Sequence, residues 1–372
     1  MKAAAIHISD VRTFRQCRRQ WEWSSGLKRN LEPIVAYPPF FTGRAIHKAL
    51  EMHYKNGDDI VSAFEAFVAE ERTNMGDLWP QEEGTFEEQV ILGYNMLQHY
   101  KLWQQQDTKK YSDRNLKFLE LEYPFEVPLK VDGRTARGKR IAGRFDGLVY
   151  NTATDEYWIW ETKTTRSITE FVTALSNDEQ SAVYLYAAQQ LFKYPVAGVL
   201  YNIIRKKAPP QPRTLVNGLL SKAAIDTTKF AYRYWIEQAY PDWSDDTVNE
   251  YFGDILLSLE ENEQKYFMRY PVRKTPIEIA NVMQGVYETA REMTNPATPL
   301  YPSPNWLMCN FCAFKSPCVT RTMGGDYEVL LHEEYRERTD NNEKIRGEDR
   351  GPEDVDLRAA GLRQDLVGSQ LS

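Results

Sequence analysis

The residues best suited to chemistry lie in two segments, Gly143-Arg-Phe-Asp146 and Trp158-Ile-Trp-Glu161-Thr-Lys163. Cutting a phosphodiester with a divalent metal calls for hard oxygen ligands that converge at one point. It also calls for a cation to orient water and offset the charge that builds on phosphorus. An acid on one strand and an acid-x-Lys on its neighbour supply both. Glu161 and Lys163, two apart on a strand, project to the same face, with Asp146 within reach on the partner strand. An acid-x-Lys triplet alone is also the pattern of a surface ion pair at a strand end. Asp107-Thr-Lys109 and Glu263-Gln-Lys265 repeat it, but neither ends an apolar strand after a Gly-x-x-Asp.

Three further residues fall in order around this pair of segments. Gly43-Arg-Ala-Ile-His47 places an imidazole on the helix face of Leu50 and Tyr54, and Gln180 and Tyr184 stand four apart on a later helix, so they share one face. Taken singly, His47 also reads as a core histidine, and Gln180 with Tyr184 as ordinary helix composition. The elements that must carry them follow from periodicity. Helices are predicted over 9–23 with Ser9 as cap, 42–55, 58–74 and 85–106, with Gly26 to Pro39 as a loop. Alternation at Phe118, Tyr123, Phe125 and Val127, with Leu121 shifted by one, predicts a strand. Two more, at 139–150 and 156–163, form a hairpin across the turn-prone Asn151–Asp155. A helix at 178–192, a strand over 196–204, a short strand near 265–270 and a helix at 275–294 complete a mixed α/β core. Residues 208–263 read as a helical insertion opened by Pro209, Pro210 and Pro212, and no internal repeat is visible.

All four cysteines enter one pattern: Cys17 near the start, then Cys309-x-x-Cys312 and Cys318 far downstream. The first nine residues lack the apolar stretch of a secretion signal, so a cytoplasmic chain with reduced thiols is expected. Besides four unconnected core thiols, two ligands suit such a set, zinc and an iron–sulfur cluster. Structural zinc sites more often bring two close Cys-x-x-Cys knuckles than one ligand plus a distant three.

The ordered set Gly-x-x-x-His47, Gly-x-x-Asp146, Glu161-Thr-Lys163 and Gln180-x-x-x-Tyr184 resembles the RecB-like branch of the PD-(D/E)XK nucleases. That branch includes AddB-type, CRISPR-associated and phage exonucleases with an iron–sulfur cluster, and the one-plus-three cysteines resemble its 4Fe–4S staple. The resemblance spans roughly residues 9–320 apart from the insertion. It implies a restriction-endonuclease-like α/β core, a mixed β-sheet flanked by helices, with a helical N-terminal region and a helical insertion. It implies one domain over 1–335: a helical region at 40–110, a catalytic core at 116–205, the insertion at 208–263 and a cluster-binding segment at 296–320. Residues 336–372 read as a charged, disordered tail. Under the resemblance, Asp146, Glu161, His47 and the Thr162 carbonyl ligate Mg²⁺ or Mn²⁺, and Lys163 orients or deprotonates water. Gln180 and Tyr184 support Lys163 or contact phosphate, and Cys17, Cys309, Cys312 and Cys318 hold the cluster. It further implies exonucleolytic action on single-stranded DNA or DNA ends, leaving 5′-phosphates and 3′-hydroxyls. A catalytically silent DNA-end-binding or scaffolding protein of the same fold, or a CRISPR-adaptation nuclease, is the alternative.

Composition agrees with a globular, non-membrane protein: 372 residues, 42% hydrophobic and 27% charged, with no apolar run near the roughly 18–20 residues of a membrane span. The net charge of −7 argues against nucleic acid until it is localised. Residues 321–372 carry 8 Lys and Arg against 13 Asp and Glu, whereas residues 1–50 carry 9 against 3. Arg12, Arg15, Arg18 and Arg19, then Arg137, Lys139, Arg140 and Arg144, then Arg205, Lys206 and Lys207 are placed to track phosphates. Trp21, Trp23, Trp158 and Trp160 are candidates to stack on unpaired bases. No base-reading motif is present, so sequence-specific recognition is not expected. With no Gly-x-x-x-x-Gly-Lys-Ser/Thr, any helicase must come from a recombination or helicase partner protein. The insertion and tail exceed the compact CRISPR-associated members, which points to phage or mobile-element recombination and repair.

Overall fold

The structure is a computed structural model that describes residues 4–34, 41–75, 80–131 and 134–338. Its centre is a mixed sheet of six strands: β1 (Ala4–His7), β3 (Leu116–Val131), β4 (Arg134–Asn151), β5 (Glu156–Thr165), β6 (Val196–Arg205) and β7 (Phe267–Val272). β4 and β5 form the expected antiparallel hairpin, β5 and β6 run parallel, and β7 closes the far edge antiparallel to β6. A parallel β5–β6 pair needs a crossover, and α6 (Ile168–Ala174) with α7 (Glu179–Leu191) supplies it.

One face of the sheet packs against α1 (Ile8–Gln16), α7 and α11 (Pro276–Thr294), through Phe14, Phe145, Ala187, Tyr201 and Val286. The other packs against α3 (Phe41–Asn56), α4 (Ile60–Met75) and α5 (Pro80–Gln106), through Ile46, Phe64, Leu97 and Ile204. Inside the expected insertion, α8 (Lys229–Ala239) and α9 (Asp245–Ser258) bury a small core of their own around Tyr232, Ile236 and Phe252. The short α10 (Glu263–Tyr266) leads from it into β7.

β4 organises the site. Along one edge, residues 139–142 pair with β1 and residues 147–151 pair with β5. The intervening Gly143, Arg144, Phe145 and Asp146 have no partner on that edge among the described residues, although β3 pairs along the other. Two neighbours of opposite direction meet the same strand and leave a gap of four residues between them. Gly143 is glycine because a Cβ there would stand 2.6 Å from the Phe125 ring.

Several sequence expectations are corrected here. The helix predicted over 9–23 is two helices, α1 and α2 (Arg18–Ser24), broken at Cys17, whose backbone is extended. His7, without a side-chain hydrogen bond, precedes α1 instead of a Ser9 cap. β1 was not foreseen, because four residues leave no alternation to read. The loop after Gly26 contains β2 (Leu31–Pro33), which pairs with β8 (Tyr335–Glu337) at the far end of the chain. The cysteine segment forms α12 (Trp306–Asn310) and α13 (Lys315–Thr322), followed by α14 (Tyr327–Glu333). Structure therefore continues past the predicted start of the tail, and residues 339–372 lie outside the described residues.

The slip in alternation at Leu121 has two local causes. A register shift falls between Phe118 and Glu120, and Glu122 adopts a left-handed backbone, φ 50°. At the opposite edge, Gly198 lies against β7 so closely that a Cβ would run into the Val272 carbonyl and the Trp158 ring. Gly198→Ala is therefore expected to cost about 1–3 kcal/mol, read as a lower urea midpoint; an unchanged midpoint contradicts this packing.

Candidate active site

Asp146 and Glu161 occupy the first rung beyond the β4–β5 ladder, whose last pair on that side is Gly147 with Trp160. There the strands diverge, and the freed Thr162 N–H donates to Asp146 Oδ2 at 2.8 Å. A strand residue's N–H and C=O point to the same edge, so the Thr162 carbonyl also faces the gap. His47 enters from α3, its Nδ1 3.3 Å from Asp146 Oδ2. Lys163 projects on the Glu161 side and donates to Glu161 Oε1. From α7, Gln180 Nε2 donates to the same oxygen at 2.9 Å and to Tyr184 OH at 2.8 Å, while Tyr184 OH donates to the Arg144 carbonyl at 3.0 Å. All seven residues expected from sequence thus meet at one gap, from both faces of the sheet.

The electrostatics follow from crowding charge into a nearly dry space. Burial, reinforced by the Asp146 carboxylate, pushes Glu161 up to about 7 against the pull of Lys163. Burial also works to raise Asp146, but the His47 hydrogen bond and the charges of His47 and Lys163 hold it below its ordinary value. Burial alone would depress both cations; Asp146 outweighs it at His47, and Glu161 at Lys163, so both are raised. Glu161 Oε2 is buried without a hydrogen-bond partner among the described residues. Among those residues, no three His, Cys, Asp or Glu side chains are gathered as a ready ligand set. The donors here are paired with one another instead, His47 to Asp146 and Lys163 to Glu161.

Sequence reading missed two acids and the support of α7. A small cleft beside His47 and Asp146 is also lined by Glu51, Tyr54 and Glu122. Glu122 is raised by burial and by Asp146, and is anchored to Arg144 at 2.6 Å. Its left-handed φ lies in no sequence pattern, although the slip at Leu121 marks the place. Asp178 caps α7 through Ser181 N–H at 2.9 Å and Gln180 N–H at 3.2 Å. It is held in turn by Tyr201 OH and Arg12 Nη2, both at 2.7 Å.

The basic residues assigned to phosphates are largely spent inside the protein. Arg12 pairs with Asp178, Arg15 with Glu179, Arg18 with Glu292 and Arg19 with Glu22. Arg140 pairs with Glu126, Arg144 with Glu122, and Arg205 and Lys207 with Asp226. The side chain of Arg137 lies outside the described residues. Trp21, Trp23, Trp158 and Trp160 are at most 1% exposed, so none can stack on a base. Amphipathic periodicity does not reveal which charges and rings an interior consumes.

A sequence model for the PD-(D/E)XK nuclease superfamily matches residues 6–319. The chain belongs to this superfamily. Its members are metal-dependent nucleases, and the observed core, a mixed sheet flanked by helices, is that of the superfamily. No individual curated protein matches the chain. No helix among the described residues is long and apolar enough to cross a membrane.

The pH sign can be worked out for the chain without metal. A carboxyl raised from its unfolded value towards 7 binds its proton more tightly when folded, so its contribution to stability falls as pH rises through that interval. The raised His47 acts in the same direction above its ordinary range. In EDTA, thermal stability is expected to fall between about pH 5 and 7.5, and Glu161→Gln to flatten that fall. An identical pH profile in the variant would show that Glu161 is not the titrating group.

Proposed function

We propose that the chain is a metal-dependent deoxyribonuclease acting on single-stranded DNA or DNA ends, in recombination or repair of a phage or mobile element. The observation that carries this reading is the meeting of His47, Asp146, Glu161 and Lys163 at the unpaired gap of β4. The preference for ends and single strands, and the biological setting, rest on the likeness to RecB-like and AddB-type enzymes.

The donor set fits a hard divalent cation: two carboxylates, an imidazole, a backbone carbonyl, and an orphan acceptor in Glu161 Oε2. Asp146, Glu161, His47 and the Thr162 carbonyl would hold Mg²⁺ or Mn²⁺. A bound cation supplies a Lewis acid for the phosphate and lowers the pKa of its water. Lys163, kept charged by Glu161, orients the attacking water and offsets charge growing on the phosphoryl oxygens. Gln180 fixes the Glu161 oxygen that Lys163 also uses, and Tyr184 fixes Gln180. Attack of water on phosphorus leaves a 5′-phosphate and a 3′-hydroxyl.

Cys17, Cys309, Cys312 and Cys318 are the proposed ligands of a 4Fe–4S cluster with a structural role. None is disulfide-bonded. Burial raises Cys312, and the nearby Cys17, Cys309 and Cys318 raise it further. Among the described residues these thiols are not gathered as a ready ligand set, and the assignment rests on the one-plus-three spacing and its likeness to the iron–sulfur staple of RecB-like nucleases.

Two experiments test these assignments. With Mg²⁺ or Mn²⁺ and end-labelled DNA, Asp146→Ala and Lys163→Ala are each expected to lower cleavage by at least about 10²-fold. Retention of activity in both variants overturns the catalytic reading, and metal-independent DNA binding without cleavage would favour the silent alternative. Protein purified without oxygen is expected to be brown with a broad absorbance near roughly 400 nm, lost in Cys17→Ser. A colourless protein containing zinc assigns the thiols to zinc instead.

A further inference from the structure

With most basic side chains near the site already neutralised, one pair stands apart. β5 and β6 run parallel with Thr165 opposite Arg205. The next residues, Arg166 and Lys206, therefore leave the sheet side by side, where Lys206 N–H donates to the Thr165 carbonyl at 2.6 Å. Arg166 is exposed and Lys206 half-buried. Neither has a carboxylate partner among the described residues, whereas Arg205 and Lys207 on either side of Lys206 both pair with Asp226. The Lys206 ammonium is depressed by burial and by the Arg166 guanidinium.

Two like charges held together without a counter-ion are unfavourable in the free protein. Their placement gives the repulsion a use. Arg166 follows Lys163 by three residues, one past the end of β5, so its backbone lies within about 10 Å of that of Lys163. The pair thus lies just beyond the proposed water-orienting ammonium, at the carboxyl ends of two parallel strands, where open α/β sheets bind ligands.

We propose that Arg166 and Lys206 form a phosphate-binding clamp that grips the backbone of the substrate strand next to the scissile bond. The inference rests on the nuclease reading and names the residues that hold its substrate in register. The ligand is a phosphodiester of the bound strand, so the clamp acts on positioning and not on the chemical step. Contacts to phosphate carry no base preference, consistent with a strand gripped whatever its sequence.

The test uses the full chain and a fluorescent single-stranded oligonucleotide, with Ca²⁺ to allow binding and Mg²⁺ to allow cleavage. In Arg166→Ala/Lys206→Ala, the slope of log affinity against log salt is expected to shrink by about 1.4, two single-strand phosphate contacts. KM is expected to rise about tenfold with kcat nearly unchanged, since a phosphate contact weakens binding without touching the reacting atoms. Arg166→Glu, which gives Lys206 a counter-ion, is expected to raise the thermal midpoint while weakening binding at least as much. That separates lost binding from lost folding.

A double variant with unchanged salt slope and KM, in a preparation whose parent cuts DNA, overturns the clamp alone. A parent that neither binds nor cuts overturns the nuclease reading and the clamp with it. An equal loss with a dinucleotide and with a longer strand would also overturn the clamp, because a dinucleotide is too short to engage both Lys163 and the pair.

Discussion

Two carboxylates cannot both stay ionised in a dry space unless cations are placed against them. Asp146 and Glu161 stand on neighbouring strands at the point where those strands separate, and this constraint organises the surroundings. His47 is brought from the helical layer on one face to meet Asp146, and Lys163 is set two residues on to meet Glu161. At an effective dielectric near 20, each close opposite-charge contact is worth about 4 kcal/mol before desolvation is subtracted. Removing one member therefore leaves its partner's charge with much less to offset it. The balance is also adjustable: Glu161 rests near neutrality, so a cation or a proton can shift it.

Behind the site, the gap is kept open by packing that has no chemical role. Gly143 yields its volume to Phe125, and Phe145 stacks on that ring with centroids 4.5 Å apart. On the far side of β5, a buried Arg269 ties β7 to Asp113 at 2.6 Å and lies over the Trp160 ring. Tyr54, on the same helix as His47, donates to Asp113 at 3.0 Å and stacks on Phe118. The helix that delivers the imidazole is thus pinned through a desolvated ion pair, and breaking such a pair costs far more than an exposed one. Both faces of the sheet contribute to a site that neither could form alone.

The strands, the hairpin, α3 and α7 were legible because each buries one face and repeats its apolar residues at the matching period. The meeting of the candidate residues was legible through their order, since two short motifs on adjacent strands must come close. What could not be read was whatever depends on the partner of a charge or a ring. Arg12 looks in sequence like a phosphate ligand, and the fold uses it to hold Asp178 at the start of α7. Trp158 and Trp160 look like stacking platforms and lie in the interior with Leu200 and Val149. Glu122 was hidden because nothing in composition marks a left-handed residue inside a strand. The short β1, β2 and β8 were hidden because three or four residues carry no period.

The β2–β8 pair, with Trp23 packed on Phe314 and Tyr335 in the same small core, ties the beginning of the described chain to its end. Whatever the thiols hold, this closure belongs to the polypeptide itself. It also has a consequence in time. During synthesis, Leu31–Pro33 must wait for Tyr335–Glu337, and at ordinary elongation rates that interval is roughly 15–60 s. For that period Trp23 lacks the residues that later cover it, while β1, α3 and the β4–β5 hairpin already have most of theirs. Residues 335–337 are thus the ones that seal 31–33, and this closure is reserved for chains made at least that far.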